Sequence, residues 1–460
     1  MSTASRAAGR AAGKPAMSTP AAARRPRRVR PAPEARRRDW NAALAWLGFV
    51  AAVVALVSAG MRIELGAGVT TGCVLALALV PLWWSTAARY RHYPWIFGLT
   101  VASVASGIWL TAASAATYEV SWSLATQNSA LLAGAVLGAG LILWVRPVLG
   151  EWQIGLLFGT GLLLEATTVP GLDNPWKFQW AVPLAVLGLA GAQALRSRLL
   201  GVSVLFVLTV VSAALDSRSL TGMFLVAAVV LAVQALPLTE RVRRIGAGRM
   251  ILLVGAVGAV AYSLFTRLAL SGTLGLSTQL RTEEQMLRAG SVLLGGRPEM
   301  AATAGLFLHR PEGFGAGTVL DPSGIRAAQG AMSRLNYDPD NGYVYNYMFG
   351  RSLEVHSGVG DLWALFGLPG LALALVLVWA LVDSLARRFS ARSVTPLQAA
   401  TLLFTTWTMF FGPLYTVAPV LTLCLGLILV PRGAPRFLGV RRDGLPLPAV
   451  APQRPEDARP

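Results

Sequence analysis

Cysteine is almost missing from this chain. There are two, Cys73 and Cys424, far apart and each inside an apolar stretch. That excludes a disulfide framework and a thiolate metal site, and both thiols read as small buried hydrophobes. Histidine is nearly as rare, with three residues. The segment "DPDNG" opens like a calcium loop but lacks the remaining ligand spacing, so neither a metal nor a cofactor is expected. Charged residues make up only 13%, about half the usual share in a soluble domain. Lysine is nearly absent, and the net charge of +18 is carried by arginine. A basic balance can signal nucleic acid, but these arginines stand in the tails and between apolar blocks, where membrane topology accounts for them. No nucleic-acid partner is expected.

What the chain has in abundance is hydrophobic sequence, 54% of it, gathered into long blocks. A bilayer core of roughly 30 Å takes about 20 helical residues, and lipid forces backbone polar groups to be satisfied within the segment. The expected fold class is therefore all-α, a polytopic integral membrane protein. Its spans fall near 42–60, 67–86, 94–114, 125–145, 153–171, 179–195, 199–215, 220–238, 249–268, 359–383, 396–413 and 415–430. Residues 1–40 read as a disordered basic tail and 41–268 as spans one to nine. Residues 269–357 form a large loop with short helices, 358–431 hold spans ten to twelve, and 432–460 are a second tail. Alternate connections carry Arg89 and Arg91, Arg146, Arg196 and Arg198, Arg241, Arg243 and Arg244, and Arg387, Arg388 and Arg392. By the positive-inside rule both termini are cytoplasmic and the 269–357 loop is external. Within that loop "STQLRTEEQMLRAGSVLL" and "RPEMAATAGLFL" read as amphipathic helices, while "RPEGFGAGTVLDP" and "YDPDNGY" read as turns.

Several polar residues stand where the membrane makes them costly. Asp216 and Arg218, in "AALDSRSLTG", lie at the outer end of the seventh span; they read either as an interfacial pair or as an anion clamp. Glu165 is an intramembrane carboxylate, bonded to neighbouring helices or functional. Arg297, Arg310 and Arg351 lie in the external loop. Tyr343 and Tyr345, with Tyr347 and Phe349, alternate along "YVYNYMF" as a platform for sugar rings or as an aromatic belt. His356 stands where the loop becomes the tenth span, in "RSLEVHSGVGDLWALFGLPGLALAL", which then runs on as an uninterrupted apolar helix. Gly358 and Gly360 are expected to let the backbone turn there, and Asp361 is an acidic neighbour. A neutral imidazole can take a proton near pH 7, and two arginines can hold a diphosphate leaving group.

At these residues the sequence resembles the O-antigen ligase and O-antigen polymerase family of bacterial membrane glycosyltransferases. "DSRS" is similar to the family's Ser-Arg-Gly element, with its arginine at Arg218. "RPEMAATAGLFLHRPEGFGAGTV" is similar to an Arg-x-x-Met/Trp helix leading into a Pro-x-x-Phe-Gly-x-Gly turn, with its arginine at Arg297. "EVHSGVGDLWALFGLPGLAL" is similar to the His-Asn element and a following Gly-x-x-Gly, with its histidine at His356. The likeness covers 200–380; Ser357 stands where the family has asparagine, and "DSRSLTG" lacks the glycine directly after Ser-Arg. The resemblance implies a glycan donor on polyprenyl diphosphate at the outer face of the cell membrane. It also implies a glycan or lipid-linked acceptor, His356 as base, Arg218 and Arg297 on the diphosphate, inversion, and no metal. Two other readings are a transporter or flippase of lipid-linked glycan, and a non-catalytic scaffold of an envelope assembly complex. Transporters often carry internal repeats and broken midplane helices; the sequence has no evident repeat, and its polar cluster falls at the outer rim.

Overall fold

The computed structural model describes residues 33–168, 174–235, 247–273, 275–350 and 352–433. The 241–244 connection, Arg351 and most of both tails lie outside the described residues. The chain divides into two compact units, Met1–Phe49 and Val50–Pro460. Of the first, only a helical stretch from Pro33 is described; the candidate site lies in the second.

The described residues are predominantly helical. Strand is confined to the hairpin β1 (Glu64–Gly66) and β2 (Val69–Thr70). The helices are α1 (Pro33–Met61), α2 (Thr71–Ala78), α3 (Val80–Ala87), α4 (Tyr93–Ser114), α5 (Trp122–Val145), α6 (Glu151–Thr168), α7 (Ala181–Ala194), α8 (Arg198–Ala214), α9 (Arg218–Ala235) and α10 (Ala247–Leu270). There follow α11 (Leu276–Ala289), α12 (Val292–Gly295), α13 (Glu299–His309), α14 (Pro322–Ser333), α15 (Gly358–Ser390), α16 (Pro396–Phe411) and α17 (Leu414–Ile428), with short π-helices at Trp176–Trp180 and Tyr343–Met348. Four of them, α4, α5, α9 and α15, are long and apolar enough to cross a membrane. Helices of this kind are those of a membrane protein.

Local chemistry sets many of the boundaries. Ser121 caps α5 by accepting from the Leu124 N–H, and Ser197 caps α8 by accepting from that of Leu200. Thr395 and Gln398 form a reciprocal capping box at the start of α16. The block at 67–86 is not one helix: Pro81 opens a new one, so the chain stops at Leu79 and restarts as α3. Helix α14 was not expected, although Asp321, followed by Pro322, caps it by accepting from the Gly324 N–H.

The run into α15 is also not an uninterrupted helix. Gly367 breaks it, with φ 68° and ψ −153°, two residues before Pro369. The turn at 311–319 fills the break. The N–H groups of Phe314 and Gly315 both donate to the Ala364 carbonyl, at 2.8 and 3.2 Å. Trp363 Nε1 donates to the Pro311 carbonyl at 2.8 Å. The same turn reaches α4 and α5: Ala316 N–H donates to the Gly107 carbonyl, and Asn128 Nδ2 donates to the Ala316 carbonyl. Phe314 and Ala316 are buried. Part of the loop expected outside is thus threaded among the helices.

Three of the arginine-bearing connections, those with Arg91, with Arg146, and with Arg387 and Arg388, meet at one end of this unit. Arg146 Nη1 donates to the carbonyls of Gly426 and Leu429, and Arg388 to those of Leu427 and Ile428. Together they satisfy the orphan carbonyls at the α17 C-terminus. Asp383 there gathers His92 and Arg387, each at 2.9 Å. The Arg91 N–H donates to the Val430 carbonyl, and Gln234, in the last turn of α9, pairs with the backbone of Val394. Helices α9 and α15 both finish at this end, so Arg218 and His356, at their beginnings, share the opposite one.

Candidate functional site

His356 is the centre of the site at that opposite end. Its backbone is left-handed, φ 51°, and the residues on either side are clamped. Asp361 is buried, and its two carboxylate oxygens accept from the N–H groups of Val355 and Leu414, both at 2.8 Å. The Ser357 side chain caps α15 by accepting from the Gly360 N–H. Asp361 therefore ties the segment before His356 to the start of α17, rather than presenting itself to a substrate. Gly358 and Gly360 are helical. The turn is made by His356 itself, and a side chain at 358 would press on the backbone of Met409 at 3.2 Å.

A chain of contacts leads from the imidazole to Arg297. The His356 and Tyr343 rings lie 5.3 Å apart. Tyr343 Oη donates to Glu299 Oε1 at 2.9 Å. Arg297 Nη1 lies 3.6 Å from the same oxygen. Burial, and then the Glu299 charge, push the Tyr343 phenol well above its ordinary pKa, so it stays a proton donor. Glu299 is itself buried, and its Oε2 has no protein hydrogen-bond partner. A substrate hydroxyl is one group that could satisfy such an oxygen. Arg297 also donates to the Phe411 carbonyl, and its guanidinium stacks over Trp407 and Phe411.

The charges of Arg297 and Arg218 both act on Lys177. Loss of hydration, then the Arg297 charge, lower the Lys177 ammonium pKa; Arg218 works in the same direction and Asp216 against it. Lys177 lies on the π-helix Trp176–Trp180, which is pinned to the end of α8. Asn174 Nδ2 donates to the Leu215 carbonyl at 3.0 Å, and Trp176 Nε1 to Ser212 Oγ at 3.0 Å. Asp216 accepts from Arg281 at 3.3 Å and faces Arg218 Nε at 4.0 Å. The result is a cluster of four cations with Asp216 and Glu299 as its acidic partners. Such a surface suits a multiply charged anion.

The remaining candidates are placed elsewhere or differently. Glu165 pairs with Arg62 at 3.4 Å. Arg310 binds Glu312 at 3.1 Å and stacks over Tyr118 and Phe314, beside the threaded turn. The "YVYNYM" segment is helical, so its tyrosines do not form an alternating platform. Tyr343 and Tyr347 share a face, with rings 6.4 Å apart, while Tyr345 accepts from Gln329. Arg351 lies outside the described residues.

Sequence reasoning passed over three members of the cluster: Arg281, Glu299 and Lys177. Glu299 lies within the very motif that supplies Arg297, two residues on. Lys177 is one of only two lysines in the chain, beside Lys14, and the only one among the apolar blocks. That isolation was its signal. No family model matches the chain, and neither does any curated protein or solved structure.

Proposed function

We propose that the chain is a multi-pass protein of the cell membrane that transfers or polymerises a polyprenyl-diphosphate-linked glycan onto an acceptor hydroxyl. Its twelve passes are α1, the α2–α3 pair, α4 to α10, and α15 to α17. Both termini are cytoplasmic, and the cluster faces outside. The observation that carries this reading is the meeting of two groups of residues at one end of the bundle: a cation cluster at Lys177, Arg218 and Arg297, and an imidazole joined to it through Tyr343 and Glu299.

In this mechanism His356 takes the proton of the acceptor hydroxyl as its oxygen attacks the anomeric carbon. The bond from that carbon to the diphosphate oxygen breaks, and its electron pair leaves with the diphosphate. The arginines stabilise the departing charge, a type of electrostatic assistance worth several kcal/mol per well-placed donor, about 2.7–4 where one has been removed. The proton then passes from the imidazole to water. Inversion follows from a single displacement.

The break in α15 is a feature that favours transport, since transporters place broken helices at their substrate sites. Here the freed Ala364 carbonyl is occupied by Phe314 and Gly315, so the break is filled by protein and not left to line a passage. The deciding experiment is reconstitution with a polyprenyl-diphosphate glycan and no nucleotide sugar. A longer or transferred glycan supports the enzyme; movement of intact donor between leaflets without new glycosidic bonds replaces it with the flippase.

A further inference from the structure

Two features of different chemistry meet near Lys177. Arg297, Arg218 and Asp216 are the charged groups that act on its ammonium. Its neighbour Trp176 lines a groove of about 530 Å³ together with Asn174, Pro175, Trp180, Leu184 and Leu215. The two are continuous along the chain, since Trp176 precedes Lys177 and Leu215 precedes Asp216. The π-helix that carries Lys177 and both tryptophans is held to α8 by the Asn174 and Trp176 hydrogen bonds. A groove of apolar and aromatic walls whose lining residues adjoin members of a cation cluster fits an amphiphile with an anionic head.

We infer that Lys177 is the lipid-side cation of the diphosphate site. It holds the phosphate that bears the prenyl chain, and Trp176 and Trp180 take the first isoprene units. Arg297 holds the phosphate that bears the sugar. The orientation follows from connectivity: Arg297 leads through Glu299 and Tyr343 to His356, whereas Lys177 adjoins the groove. This inference rests on the glycosyl-transfer reading for the identity of the lipid. The lowered pKa of Lys177 adds a signature, because deprotonation removes its grip on phosphate at a lower pH than an ordinary lysine would.

The test uses the full-length chain in phosphatidylcholine nanodiscs, with farnesyl diphosphate and inorganic pyrophosphate as probes. Farnesyl diphosphate should bind wild type about tenfold or more tightly than pyrophosphate, through burial of its chain. Lys177→Gln should weaken both probes by about tenfold or more, as expected for one lost charge-assisted hydrogen bond. Lys177→Arg should recover most of that loss and remove the alkaline fall in affinity. Trp180→Ala should weaken farnesyl diphosphate and leave pyrophosphate unchanged. In transfer assays Lys177→Gln should raise the donor KM more than it lowers kcat. Wild-type affinity in Lys177→Gln, or equal loss in the glutamine and arginine variants, overturns the assignment. A Lys177-dependent diphosphate site in a protein that transfers no glycan would keep this inference and remove the enzyme. Transfer at an unchanged donor KM in Lys177→Gln would do the reverse.

Discussion

A left-handed backbone at a residue other than glycine costs on the order of 1–3 kcal/mol and persists only where its surroundings impose it. At His356 the imposition comes from Asp361 and Ser357 on either side, and the result is a ring turned toward Tyr343. As the proposed base, His356 should be irreplaceable in chemistry but not in binding. His356→Ala is expected to lose about 100- to 10,000-fold in transfer rate, with farnesyl diphosphate affinity kept within a few-fold; transfer at wild-type rate would make the residue structural. Arg218 meets Asp216 only loosely, through Nε at 4.0 Å, which leaves its fork for a ligand. Arg218→Lys should therefore cost about 10- to 100-fold in rate, since an ammonium cannot span two phosphate oxygens in one plane. Retained activity in that variant would identify Arg218 as an interfacial anchor. For Lys177 the sign of the pH effect follows from the direction of its shift. The ammonium form binds the anion, so affinity is full below its folded pKa and lost as pH rises through it. That pKa is lowered, so the loss should begin at a lower pH than for an ordinary lysine, as read by a titration of farnesyl diphosphate binding.

Among the elements, the threaded turn at 311–319 and the broken helix α15 depend on one another. Gly367 occupies a backbone region that is essentially glycine's alone, and a Cβ there would meet the Glu312 carbonyl oxygen at 2.6 Å. Gly313, also at positive φ, would place its Cβ 2.8 Å from the Gly367 Cα. Gly367→Ala should lower stability by about 2 kcal/mol or more, seen as a reduced melting temperature in detergent. Gly98→Ala is the matched control, because a Cβ at Gly98 meets nothing within 4 Å; it should be neutral or slightly stabilising. Equal behaviour of the two variants would mean that the seam between turn and helix carries no stability. The motif that contains Gly313 was legible as a turn. Its destination inside α15 was not, because the hydrogen-bond acceptor at Ala364 becomes available only once Gly367 has broken that helix.

For the whole molecule, the proposed sidedness can be measured, with the end that gathers Arg146, Arg388, Arg91 and Arg387 expected inside. A cysteine in place of exposed Val148, beside Arg146, should react with an impermeant maleimide only after the membrane is opened. A cysteine in place of exposed Arg326, on α14, should react in intact cells. The background needs Cys73→Ala, while Cys424 is buried. Reaction at 148 but not at 326 would put the cluster on the cytoplasmic side and end the proposed mechanism, because donor and acceptor would lie on the wrong face.

Hydropathy by itself determined that this chain is helical and of membrane type, because apolar length and the need to satisfy backbone polar groups are properties of a segment and its solvent. Arg218, Arg297 and His356 were singled out by the short motifs in which they stand and by their common placement on the expected outer side. Tertiary structure decided the rest. Lys177 and Glu299 became members of the site only when α8, the π-helix beside it and α13 were brought together. Glu165, Arg310 and Asp361 found partners in Arg62, in Glu312 with Tyr118, and in the N–H groups of Val355 and Leu414. A charge seen in sequence carries only its cost; which partner offsets it depends on contacts between residues as far apart as 62 and 165, and no local pattern encodes those.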